Sequence, residues 1–136
     1  MMITQAVYDA LAGDATLAGM VSTYSGGPAI FTVDPAPGDA VLPYIITAGA
    51  VAQTAADTKT TLGREITRDV RCYTAASGSA QVVEAMAERV RALLHRQVLT
   101  IAGFVWVMAE CSGPIQADEQ DAYGRIVTVR MVVEEI

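Results

Sequence analysis

The chain has one histidine, His95, and two cysteines, Cys72 and Cys111. Its tightest carboxylate group is Asp118, Glu119 and Asp121. A Ser-His-Asp or Cys-His nucleophile would have to use His95, yet no serine stands in a GxSxG turn. His95 falls at the end of a predicted helix, where a cation is favoured, and reads as a solvated helix-end residue. The cysteines fall inside predicted strands and read as buried thiols of a reducing cytoplasm. There is no CxxC pair of the kind zinc needs, and a disulfide would need adjacent strands in register. The acidic triplet has oxygen ligands for calcium but not the EF-hand spacing or its glycine, so it reads as a solvated loop. Paired carboxylates for glycoside cleavage need a cleft that no sequence pattern indicates. Neither GxxxxGK[ST] nor GxGxxG occurs, and Gly26-Gly27 precedes Pro28 and a strand, so it cradles no phosphate. No catalytic, metal or cofactor-binding residue is predicted.

The elements that must carry these residues centre on Glu65–Arg96. Ile66, Arg68, Val70 and Cys72 alternate with Glu65, Thr67, Asp69, Arg71 and Tyr73, the period of a two-faced strand. Arg64, Arg68 and Arg71, interleaved with Glu65 and Asp69, read as paired surface charge rather than a nucleic-acid stripe. Arg68 shares its face with apolar residues; if that face is core it needs a partner there, otherwise it marks a subunit contact. Val82, Val83, Met86, Val90, Leu93 and Leu94 then form one helix face, with Ser77 or Ser79 available as cap. Upstream, a helix is predicted over Thr4–Ala12, ended by Gly13 in a left-handed conformation, with Asp14 capping a second short turn. Short strands are expected at Ala29–Val33 and at Leu42–Gly49, entered through Pro43. Downstream come strands at Phe104–Cys111 and Arg125–Glu135, the latter burying Val127, Val129, Met131 and Val133, as an antiparallel hairpin. Two long polar connections, Val51–Gly63 and Ser112–Gly124, join strands; a loop as long as the first is usually functional or ordered by a partner, the other reading being a floppy hairpin tip. No internal repeat is apparent.

At 136 residues and 52% hydrophobic, the chain reads as a single domain, 1–136, with enough apolar residues for a core. Its net charge of −6 disfavours gripping phosphate backbones. No run of 18 apolar residues exists, and the start MMITQAVYDAL lacks the basic region of a signal peptide. The predicted order α-β-β-β-α-β-β, without regular βαβ alternation, gives an α+β fold: a largely antiparallel sheet with helices packed on one face.

The chain as a whole resembles the tail-completion, or tail-terminator, proteins of long-tailed phages and gene transfer agents. The resemblance is carried by Val7-Tyr8-Asp9-Ala10-Leu11 followed by Asp14-Ala15-Thr16-Leu17. It continues in the loop with Pro35 and Pro37 leading into Leu42-Pro43-Tyr44-Ile45, and in the strand and helix of Val70–Leu94. It ends in Tyr123-Gly124-Arg125 opening the closing strand; Phe104–Cys111 carries no family signature. The resemblance implies a non-enzymatic virion protein, made in the host bacterial cytoplasm and placed at the head-tail junction. There it forms a ring, usually a hexamer, on the tail tube, stops tube growth and joins the head or neck. Implied partners are other copies of the chain, the tail-tube protein and the head or neck connector proteins. DNA passes through without specific binding, and no membrane or cofactor is involved. A ring needs two different complementary surfaces on each subunit. The length and polarity of the two long loops make them the expected contact segments. The candidates are Gln53, Asp57, Lys59 and Arg64 on one, Ile115, Asp118, Glu119, Asp121 and Tyr123 on the other, and Arg68 between them. A head-completion or neck ring protein, and a small cytosolic ferredoxin-like binding domain, are the alternative readings; an enzyme has least support.

Overall fold

The computed structural model describes residues 3–48, 52–119 and 121–136. The expectations that touch Met1, Met2, Gly49, Ala50, Val51 and Gln120 lie outside the described residues. Helix α1 spans Ile3–Ala12 and the one-turn α2 Ala15–Ala18. Strands β1 (Thr23–Tyr24) and β2 (Gly27–Pro28) pair only with each other. Next come β3 (Ile30–Phe31), β4 (Tyr44–Ile46), β5 (Ala52–Ala55) and β6 (Gly63–Ala75). Helix α3 (Gln81–Leu94) precedes β7 (Phe104–Gln116) and β8 (Ala122–Glu135). The sheet runs β3-β4-β6-β8-β7, and β5 lies against β6 below β4 on the same edge. Among the described residues only the β3–β4 pair is parallel. The α+β expectation therefore holds, with α2, β1, β2 and β5 added to the predicted order.

The frame is the β6–β8 pair, in register from Gly63↔Glu134 to Ala75↔Ala122. Alternation puts Ile66, Val70 and Cys72 of β6 and Val127, Val129, Met131 and Val133 of β8 on one face, all buried. Val83, Met86, Ala87, Val90 and Leu94 of α3 cover that face, with Val7 and Leu11 of α1 and Leu17 of α2 beside them. Asp14 caps α2 by accepting from the Leu17 amide at 2.9 Å. It also holds Arg89 of α3 through two nitrogens, at 2.6 and 2.9 Å, so one carboxylate ties the opening unit to the main helix. On the opposite face, Tyr24, Phe31, Tyr44 and Tyr73 stack edge-to-face in a ladder with centroids 5.1, 5.7 and 5.8 Å apart.

Several expectations are corrected. Gly13 does not adopt a left-handed conformation; among the described residues the positive-φ glycines are Gly26, Gly78, Gly103 and Gly113. Its amide simply continues the helical pattern to Asp9 O at 3.0 Å. Helix α3 begins at Gln81 with Ala80 in the cap position and no side-chain cap there; Ser79 accepts from the Gln81 amide at 3.3 Å, one residue early. The strand expected over Ala29–Val33 is only two residues long. The long connections are partly strand: β5 occupies part of the first, and β7 runs to Gln116 while β8 starts at Ala122. Cross-strand backbone bonding outweighs the weak apolar pattern of those segments. His95 is not a solvated helix end. It is half-buried, and its Nδ1 accepts from the Cys111 amide at 2.9 Å. Cys72 and Cys111 are free and buried, as expected.

Arg68 is the exception on the helix-covered face. It is 0% exposed, so the alternative in which it marks a subunit contact is removed: its side chain lies inside its own chain. The guanidinium bonds Thr47, Nε to Oγ1 at 3.0 Å and one Nη to the carbonyl oxygen at 2.8 Å. Its other Nη has no partner among the described residues. The strand pairing explains the position. β4 leaves β6 after Ile46↔Arg71 and β5 joins it at Thr67↔Ala52, so Arg68 faces the gap between them and meets Thr47 there.

Candidate functional site

The two segments expected to make contacts are two hairpin tips at opposite ends of the β6–β8 frame. The first tip, 56–62, joins β5 to β6 next to the start of β7 and the end of β8. The second, 117–121, joins β7 to β8 next to the end of β6 and the approach to α3. Thirteen residues of β6 separate them, roughly 40 Å of extended chain. Gln53, Asp57, Lys59 and Arg64 thus cluster at one end, and Ile115, Asp118, Glu119, Asp121 and Tyr123 at the other. Arg68 sits buried midway and belongs to neither.

The tips are built alike, from a short repeat that reading by hydrophobic pattern does not detect: Ala56-Asp57 to Gly63-Arg64, and Ala117-Asp118 to Gly124-Arg125. In the first, the Ala56 amide donates to Gly63 O at 2.9 Å and the Gly63 amide to Asp57 Oδ1 at 3.1 Å. In the second, the Ala117 amide donates to Gly124 O at 3.0 Å and the Gly124 amide to Asp118 Oδ1 at 3.0 Å. Both glycines are required by close approach. A Cβ at Gly63 would lie 2.5 Å from Ala56 O; one at Gly124 would collide with Ala117 O and sit 2.9 Å from a Tyr73 ring carbon. Strand registers agree too: Ala55↔Arg64 on one hairpin, Gln116↔Arg125 on the other. Because β6 and β8 are antiparallel, the hairpins are related by a local two-fold through the sheet. Aligning the two loops on Asp and Gly, instead of searching for apolar periodicity, would have exposed the repeat.

Residues within the repeat close the turns, and those between are free to differ. Asp57 and Asp118 are turn-closing acceptors. The Gly124 amide, then Gln116 and Arg125, hold the Asp118 carboxyl below its ordinary range. Arg125 also reaches Glu84 of α3 at 3.4 Å, and the Tyr123 hydroxyl accepts from the Gly78 amide at 2.9 Å. Every residue of Tyr123-Gly124-Arg125 therefore has a scaffold role. Arg64 lies 5.5 Å above the Phe104 ring and 3.8 Å from Glu135. What each tip offers outward is Thr58, Lys59, Thr60 and Leu62 at one end, and Glu119 and Asp121 at the other, all exposed. Thr58 organises the first tip from within, accepting from the Thr61 amide at 3.0 Å. Glu119 lies close enough to the aromatic ladder to raise the Tyr44 and Tyr73 phenols, though burial is the larger cause in both. Among the described residues no group of three His, Cys, Asp or Glu side chains is placed to hold a metal ion. No described helix is long and apolar enough to cross a membrane.

Residues 5–134 match the family described as Tail completion protein gp17. The chain belongs to that family. A tail-completion protein is a structural component of the phage virion tail, and the resemblance read from the sequence is the one that holds. No curated protein matches the chain. Among solved structures, a chain of the virion of a native gene transfer agent particle shares the fold of this tail-completion protein. The TM-score is 0.80 at 23% identity, covering 97% of this chain and 94% of that chain.

Proposed function

We propose that this tail-completion protein forms a ring, a hexamer by family resemblance, on the last ring of the tail tube. There it ends tube growth and presents its opposite side to the head or neck. The observation that carries the reading is the pair of like-built tips at opposite ends of one rigid strand pair. A ring subunit between tube and neck needs two axial ends of different chemistry, and an end of mixed charge with exposed Lys59, Asp57 and Glu135 against an end with exposed Asp118, Glu119 and Asp121 supplies that difference. The net charge of −6 suits a channel that lets DNA pass without holding it.

The test leaves the turn-closing residues intact. Lys59→Ala with Thr60→Ala, and separately Glu119→Ala with Asp121→Ala, are assembled into particles and examined by electron microscopy. One pair is expected to give overlong tubes, the other tails of normal length that fail to join heads. Circular dichroism should report an unchanged fold in both. If both variants yield normal particles, the assignment of the tips is wrong.

A further inference from the structure

Besides its two ends, the sheet has two sides, and each has an open backbone edge, the two overlapping in height. On one side β5 is the outermost strand, and all four of its residues are exposed. Its ladder places the Ala56 amide against Gly63, so by antiparallel alternation the Gln53 and Ala55 amides point away from β6. On the other side β7 is outermost. Its edge is closed in the middle, where the Cys111 amide donates to His95 Nδ1 and Ala109 O accepts from the Arg96 amide at 2.9 Å. Arg96 takes φ 56 there. Below that cover, among the described residues, no backbone bond reaches the outer side of Val105–Met108. Val105 is 52% and Val107 50% exposed there, and Val107 lines an open groove of about 330 Å³ together with Val98. The register shift at Trp106/Met108 falls in this open stretch.

Reading straight across the sheet, Ala52–Ala55 lie level with Arg64–Thr67, then Arg130–Val133, then Trp106–Glu110. The successive antiparallel pairings make β5 antiparallel to β7. We infer that a second copy of this chain continues the sheet, its β5 edge pairing antiparallel with the open lower edge of β7. The occupant is a copy of the same chain because the open stretch of β7 runs antiparallel to β5, has the same four-residue length and overlaps its height at Trp106–Met108, and because the two edges differ: one is small and polar, the other carries exposed valines. Such a contact is heterologous and repeats around a closed ring while the hairpin tips keep pointing to the two axial ends. An open strand edge left uncovered is a liability that proteins otherwise blunt, as this chain does at His95 and Arg96. The inference rests on the ring reading and names the surface that closes it.

The experiment pairs disruption with cross-linking. Gln53→Pro removes an outward amide without touching the ladder to β6, and Val107→Lys puts a charge on an already exposed position. Each should weaken assembly about tenfold or more, the equivalent of one or two lost interface hydrogen bonds, read by mass photometry against concentration. Unchanged melting temperature shows that the fold survives; should Gln53→Pro melt early, Val107→Lys carries the test. In the assembled protein, Gln53→Cys combined with Val107→Cys, treated with a short bis-maleimide, should give a ladder of covalent oligomers, while either single variant gives none beyond dimer. Rings that form, resist both disruptive variants and give no ladder overturn the edge pairing and leave the ring reading standing. A chain that never assembles, alone or on tail-tube ends, overturns both.

Discussion

At the scale of single residues, four buried or bridging groups make measurable commitments. Asp14 is bonded by Arg89 and by the Leu17 amide, which hold its carboxyl at about 2 against an ordinary 3.8. A folded-state value below the unfolded one contributes stability above pH 3.8 that is lost as pH falls through about 2. The melting temperature of Asp14→Asn, which keeps a cap but loses the ion pair, should therefore lie below that of the native chain near neutral pH. The gap should close as the pH drops from about 4 to about 2; a gap independent of pH would mean the ion pair contributes nothing. Burial pushes the Cys72 thiol up to about 12 and the Cys111 thiol to about 11, so neither supplies thiolate at neutral pH. Both should resist maleimide until denaturant unfolds the chain, and rapid native labelling would contradict their placement. Arg68 has only Thr47 as partner among the described residues, and burial lowers the guanidinium's proton affinity. Replacing such a group by an apolar side chain of similar length removes the desolvation cost, whereas removing its partner leaves the charge worse off. Urea titration should find Arg68→Met neutral or stabilising, and Thr47→Val destabilising by about 1–3 kcal/mol.

At the scale of elements, the hairpins are the informative units. Each is closed by an aspartate that accepts from a glycine amide, and each glycine has a carbonyl oxygen where its Cβ would go. Overpacking of this kind costs about 1–3 kcal/mol. Gly63→Ala and Gly124→Ala should each lose that much in denaturant titration, the second also displacing Tyr73 from the aromatic ladder. Gly38→Ala serves as control: nothing lies within 4 Å of its Cβ position and its φ is not positive, so its effect should stay within about 0.5 kcal/mol. Asp57→Ala and Asp118→Ala would confuse loss of a turn with loss of a contact, which is why assembly tests use Lys59, Thr60, Glu119 and Asp121 instead. Helix α3 was legible to within a turn because its apolar spacing is unbroken. Strand β5 was not, because Ala52-Gln53-Thr54-Ala55 has no buried face to leave a pattern.

At the scale of the molecule, the strand frame separates two kinds of surface. Tips lie at the ends of the strands and open backbone edges at the sides, so the proposed axial and lateral contacts use different residues. Hydrogen exchange should show this directly. Amides of β6 and β8, central in the sheet and under α3, should exchange slowest in the isolated chain. The outward amides of β5 and of Val105–Met108 should exchange fast there and become protected in the assembled particle. Protection confined to the tips would place the subunit contacts elsewhere.

Sequence alone determined the α+β class, the central strand and helix, the buried thiols and the family. Those follow from local periodicity and from motif order along the chain, which neighbouring residues encode. It also marked both segments proposed as contacts, but as loops of a length they do not have. Only the tertiary structure decided that β5 turns the first segment into a hairpin like the second, that the two tips lie at opposite ends, and that Tyr123-Gly124-Arg125 is scaffold. Only it decided that Arg68 turns inward to Thr47 and that β5 and β7 are left with open edges. Each of those depends on which strand lies beside which, and hydrogen bonds between residues far apart in the chain set that arrangement, not the pattern within any one segment.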